Sequence, residues 1–207
     1  VKSSVPSVER LAVEVARAIQ LIDERGPIWT SSRSGKEYQR GIGPHPETEV
    51  VSLVAQELAR EAPDVYGDFG LGVPYPASPR LKCDWVLGKP IALAIEVKML
   101  RLMGDNGRPN DNMLMHIISP YPQHRSALTD GPKLLGSGFG SRLVLLIYGF
   151  DYPNLPMDPA IEAFELLALQ RVRICNMASA HFSGLLHPVH KEGRVFAWEI
   201  APLPTVV

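Results

Sequence analysis

A chain of 207 residues with 45% hydrophobic and 21% charged side chains has the composition of a folded soluble protein and can bury one sizeable core. A formal net charge of -1 argues against a non-specific nucleic-acid coat protein, but less against an enzyme whose acidic site offsets a basic groove. No apolar run reaches the roughly 20 residues that span a bilayer, no secretory leader pattern opens the chain, and Cys83 and Cys175 are too few for a disulfide framework, so a cytoplasmic protein with no membrane partner is expected.

In chain order, the first predicted element is an amphipathic helix over 7–25. Ser7 is its N-cap, Val8, Leu11, Val15, Ile19 and Ile22 recur at helical spacing, and Gly26-Pro27 ends it. Residues 30–44 are polar and carry Arg33, Lys36 and Arg40; they read as a loop, either a solvated connector or a basic flap. A second helix is expected from Glu47 to Glu61, with Pro46 in its first turn and Val50, Val51, Val54 and Leu58 as its buried stripe. Phe69, Leu71, Val73 and Tyr75 then alternate as in a strand. Leu81–Leu87 predicts another strand, and the apolar run 91–98 predicts a central strand covered on both faces. Segment 104–112 reads as a loop, 122–135 as a weak helix and Arg142–Gly149 as a strong strand. A helix is expected from Asp158-Pro159 to about Arg171, and strands from Val172 onward, one of them spanning 194–200. The mixture predicts an α/β sheet with helices on its faces, in a single domain whose core spans about 46–150 and whose C-terminal extension spans about 151–207.

Glu96-Val97-Lys98 closes the apolar strand. Residues two apart share a strand face, so Glu96 and Lys98 point one way and Val97 the other. Opposite charges there require either an ion-pair arrangement or a metal. Asp84 lies inside the preceding strand, where Asp is disfavoured, and antiparallel pairing about the Gly88-Lys89-Pro90 turn would set it beside Glu96 and Lys98. Two carboxylates suit Mg²⁺, which keeps waters and phosphate oxygens as its other ligands. Lys98 could then orient or deprotonate an attacking water or neutralise transition-state charge.

The pattern D84-x11-E96-V97-K98 resembles the PD-(D/E)XK nuclease superfamily, and the order helix-strand-strand-strand-helix-strand over 47–149 is similar to its core. The resemblance covers about half the chain. It implies a restriction-endonuclease-like fold and a metal-dependent phosphodiesterase, more an endonuclease than an exonuclease, acting on nucleic acid and on DNA in particular, in restriction, defence or repair. It also implies Mg²⁺, with Mn²⁺ as a substitute, held by Asp84, Glu96 and the Val97 carbonyl, with Lys98 serving the nucleophile. Many members add a Glu from the first core helix, for which Glu49 is the first choice and Glu47 the second; Glu in a first helical turn is also favoured by the helix dipole alone. A homodimer is compatible with the family. The sequence departs from it in having Cys83 before Asp84 and in lacking the Q-x-x-x-Y helix motif of the RecB branch, since Ala127 stands four residues after Gln123.

Other residues fit less well. Gln123 and Arg125 could meet a phosphate, and segments 30–44 and 101–120, with Arg101 and Arg108, are candidates for substrate contact. Lys133 and Arg142 read as surface charges. His181, His187 and His190 lack the four ligands of a zinc site, so a structural role is expected. Gly136–Gly140 precedes a strand rather than a helix and is no phosphate loop. The principal rival reading is a catalytically silent nuclease-fold module that binds nucleic acid or protein and keeps these residues as a buried ion-pair network. A third is a metalloprotein centred on His187 and His190.

Overall fold

The computed structural model describes residues 5–110 and 112–204. Helix α1 spans Val8–Glu24 and starts where expected, the Ser7 hydroxyl accepting from the Arg10 N–H at 3.2 Å. Such a cap contributes about 1 kcal/mol. Helix α2 spans Glu47–Glu61, with Pro46 as its N-cap. A short α3, Pro63–Tyr66, leads into three strands: β1 (Phe69–Tyr75), β2 (Ser78–Leu87) and β3 (Leu93–Leu100).

A crossover follows. It contains a short α4 (Met115–Ile118), a 3-10 turn at Pro122–His124 and α5 (Ala127–Leu135), whose cap is Ser126. The crossover ends in β4 (Arg142–Phe150), which lies parallel to β3 along its whole length, from Leu93 opposite Arg142 to Leu100 opposite Gly149. Helix α6 (Asp158–Ala168) and strands β5 (Arg173–Ser183) and β6 (Glu192–Ala201) complete the chain.

The result is an α/β architecture with one six-stranded mixed sheet in the order β1-β2-β3-β4-β6-β5. The C-terminal strands join this sheet directly, β6 pairing antiparallel with β4. Gly149 and Gly193 permit that pairing to close: a Cβ on Gly193 would collide with the Gly149 carbonyl, and one on Gly149 with the Leu100 carbonyl. Strand β3 is buried at every position, as expected of a central strand. Helices α1 and α2 lie on one face, where Val15, Ile19, Val50 and Val54 gather around Trp85, Val97 and Leu146. Because side chains alternate along β3, Glu96 and Lys98 emerge on the other face, the side covered by α5.

Two short helices, α3 and α4, are absent from the periodicity because four residues are too few to display it. The loop 30–44 is not shapeless. Thr30 bridges Glu37, the Trp29 and Tyr38 rings meet at 4.5 Å, and the Lys36 ammonium sits 4.7 Å from the Tyr38 ring centre.

Candidate functional site

Beside β2, β3 and α5 lies an open cleft of about 1010 Å³. Its acidic floor is made of Glu47, Asp84, Glu96 and Asp130, and Lys98 and Lys133 stand among them. One hairpin and two helices supply these groups. The β2–β3 hairpin brings Asp84 to Glu96, since its pairing runs from Leu87 opposite Leu93 to Trp85 opposite Ile95. One Asp84 carboxylate oxygen accepts the Val97 N–H at 2.9 Å. Helix α2 contributes Glu47, which accepts the Met99 N–H at 2.6 Å and reaches within 3.8 Å of the Lys98 ammonium. Helix α5 contributes Asp130 and Lys133.

Asp130 is buried and holds two ammonium groups at once, Lys98 and Lys133, each at 2.8 Å. Lys133 continues to Glu96 at 3.0 Å, and the Tyr75 hydroxyl donates to the other Glu96 oxygen. Lys98 also donates to the Val97 carbonyl at 3.0 Å. The expected set of Asp84, Glu96, Val97 and Lys98 is therefore gathered in one place.

The helical carboxylate is differently placed from the first expectation. Glu49 turns away to His45, 3.3 Å from its Nδ1, and does not line the cleft; Glu47 does. Residues two apart on a helix diverge by about 200°, so only one of the pair can face β3. Lys133, expected at the surface, is a correction: its ammonium is held between Glu96 and Asp130. Arg142, also expected at the surface, makes a two-pronged pair with Glu199 at 3.1 Å and donates to the Pro6 carbonyl. Asp130 was missed altogether. A carboxylate one helical turn before a lysine reads as an ordinary surface pair until the tertiary structure lays it over β3.

Electrostatics follow from crowding. Burial, then the nearby Asp130 and Asp84 carboxylates, push the Glu96 carboxyl up to about 8. Burial likewise raises Glu47. Burial works against the Lys98 ammonium, but Asp130, Glu47 and Asp84 outweigh it, so Lys98 is held protonated above its ordinary range. Four carboxyl groups and two ammonium groups thus share the floor of the cleft.

The walls of the cleft are basic and polar. Arg80, Lys82, Gln123, His124, Arg125 and Arg171 line it. Arg125 has φ 47, the left-handed region, directly after the 3-10 turn, and His124 is oriented by a 2.6 Å contact between its Nδ1 and the Ser119 hydroxyl. Of the segments expected to touch substrate, 101–120 contributes Met113, His116 and Pro120 to the lining, whereas 30–44 contributes none.

A second polar cluster lies elsewhere. Asp105, His187 and His190 place three ligand atoms within 4.8 Å of one another, so the donor types for a metal ion are present. Hydrogen bonds already commit most of these atoms. Because Asp105 can only accept, His190 Nε2 carries its proton toward it at 2.9 Å, leaving Nδ1 to accept from the Tyr152 hydroxyl at 2.8 Å. His187 Nδ1 accepts from the Val189 and His190 N–H groups, which places its own hydrogen on Nε2, an atom without a hydrogen-bond partner among the described residues. The two rings are stacked, 4.6 Å apart and 18° from parallel, so their in-plane nitrogens do not converge on one point. His181, by contrast, is exposed and lies 3.8 Å from Glu192.

Comparison with protein-family models, with curated proteins and with solved structures returns no match for this chain. Among the described residues, no helix is long and apolar enough to cross a membrane.

Proposed function

We propose that this protein is a metal-dependent nuclease of the PD-(D/E)XK type, with a restriction-endonuclease-like core, that hydrolyses phosphodiester bonds in nucleic acid, DNA before RNA. The observation that carries the reading is the convergence of four carboxyl groups, Glu47, Asp84, Glu96 and Asp130, around Lys98 and Lys133 at the floor of an open cleft with basic walls. Carboxyl groups crowded together, two of them buried, favour a cation among them, and an all-oxygen donor set of carboxylates and a backbone carbonyl suits Mg²⁺ or Mn²⁺. The residues that would hold it are Asp84, Glu96 and the Val97 carbonyl, with Glu47 rather than Glu49 as the supporting carboxylate. When bound, the ion supplies Lewis-acid charge for activating water and for neutralising the leaving oxygen.

The chain's own groups do the rest. Lys98, held protonated by its carboxylate neighbours, serves as a charged donor to the attacked phosphate or to the attacking water, rather than as a base. Arg125, Arg80 and Arg171 offer guanidinium groups to the flanking phosphates. The second reading is the silent module. It is favoured by one observation: protein donors already meet both Glu96 oxygens and the Val97 carbonyl.

The deciding experiment is cleavage of plasmid and single-stranded DNA with Mg²⁺ or Mn²⁺, comparing wild type with Asp84→Ala and Lys98→Ala. The nuclease reading expects metal-dependent cleavage that falls by about 10²-fold or more in each variant. Absence of cleavage together with absence of Mn²⁺ binding by calorimetry would establish the silent module instead.

A further inference from the structure

We propose that Lys133 is the resident counter-ion of the metal site. Its ammonium occupies the cation's place on Glu96 in the free protein, and on metal entry it swings, anchored by Asp130, toward the phosphate of the bound strand. This rests on the nuclease reading of the same cleft and adds a residue and a gating step to it.

The geometry singles out Lys133 among the donors that meet Glu96. One Glu96 oxygen takes the Tyr75 hydroxyl, and Tyr75 is a buried ring fixed at the end of β1. The other oxygen takes Lys133 at 3.0 Å. A divalent ion and an ammonium group cannot share that oxygen, because like charges at such separation repel strongly in a partly desolvated site. One donor must therefore leave. Lys133 is the one able to do so: its side chain is 26% exposed, it lines the cleft, and it has a flexible four-carbon stem. Lys98 is more enclosed, with a side chain 10% exposed, and stays tethered to Asp130 at 2.8 Å.

Asp130 gives the movement a pivot. It sits one turn before Lys133 on α5 and contacts the ammonium at 2.8 Å. Released from Glu96, the lysine keeps this anchor while turning into the open cleft, where a strand's phosphate oxygen would replace the lost carboxylate. The ion brings two positive charges to Glu96 as the ammonium withdraws one, and the phosphate's negative charge meets the displaced ammonium.

The test uses the full chain and Mn²⁺ alone as the probe. Mn²⁺ affinity without nucleic acid is measured by titration calorimetry or electron paramagnetic resonance for wild type, Lys133→Gln and Lys133→Met, with circular dichroism to confirm folding. Cleavage is then measured at saturating Mn²⁺. The expected result has opposite signs: Mn²⁺ binds several-fold more tightly to both variants, yet cleavage slows by about tenfold or more. Tighter binding by the variants over a wild type that binds none would also support a resident counter-ion. Unchanged or weaker Mn²⁺ binding by folded variants, over a wild type that binds and cleaves, would overturn the role of Lys133 and leave the nuclease reading standing. No Mn²⁺ binding by wild type or by either variant would overturn both.

Discussion

The chain buries polar groups in two places, and they are built on opposite terms. In the Asp105–His187–His190 cluster, both His190 nitrogens, His187 Nδ1 and an Asp105 oxygen have hydrogen-bond partners, the rings are stacked, and Gly43 lies so close to His190 that a Cβ there would meet its ring at 2.6 Å. The cluster ties the loop after β3 to the segment between β5 and β6. In the cleft, carboxylates outnumber ammonium groups and one side stays open. Closed and satisfied polar clusters hold a fold together, whereas an open and unbalanced one retains free energy of interaction for a ligand. This contrast, more than the number of charged residues, separates a structural cluster from a candidate active site.

The contrast can be sharpened first within the cleft. Glu47→Gln keeps an oxygen for the Met99 N–H but removes one negative charge from beside Lys98, and is expected to slow metal-dependent cleavage by roughly tenfold, about 1.4 kcal/mol of transition-state stabilisation. Glu49→Gln, whose side chain meets His45 outside the cleft lining, should stay within about twofold of wild type. Equal losses from both substitutions would break the assignment of Glu47. Side-by-side cleavage rates at saturating Mg²⁺ decide it.

In the second cluster the expected effect is on folding and not on rate. Asp105→Ala leaves the His190 Nε2–H buried without its acceptor, which costs about 1–3 kcal/mol of stability by urea denaturation. Cleavage per folded molecule should remain within about twofold, the two clusters being separate. A large fall in rate with unchanged stability would place Asp105 in the active site and end the distinction.

The smallest expected effect is a dependence on pH. Burial first holds both His187 and His190 below the ordinary value of 6.5, and Arg101 opposes their protonation, while Asp105 favours it. A base with a lowered folded-state pKa takes up protons more readily when unfolded. Stability from these residues is therefore complete above the unfolded value near 6.5 and declines as pH falls below it toward the folded values. Urea midpoints at about pH 7.5 and about pH 5.5 should show this loss. It should shrink in His187→Phe; an undiminished loss would assign the acid sensitivity to other groups.

The local lattice of the fold was legible in the sequence. The helical stripe of Val8, Leu11, Val15, Ile19 and Ile22, the alternation from Phe69 to Tyr75 and the continuous apolar run before Glu96 each express a period that one element's geometry imposes on its own residues. So was the shared facing of Glu96 and Lys98, which follows from the two-residue repeat of a strand, and the approach of Asp84, which a tight hairpin dictates. The tertiary structure alone decided what came from a distance. It chose Glu47 over Glu49 by the rotation of α2 against β3. It turned Lys133 from an apparent surface charge into a partner of Glu96, 37 residues away, because the crossover into β4 lays α5 over that strand face. It also brought Asp105 to His190 across 85 residues. Periodicity encodes which way a side chain faces within its element; which side chains then meet depends on how the elements pack, and no local repeat carries that information.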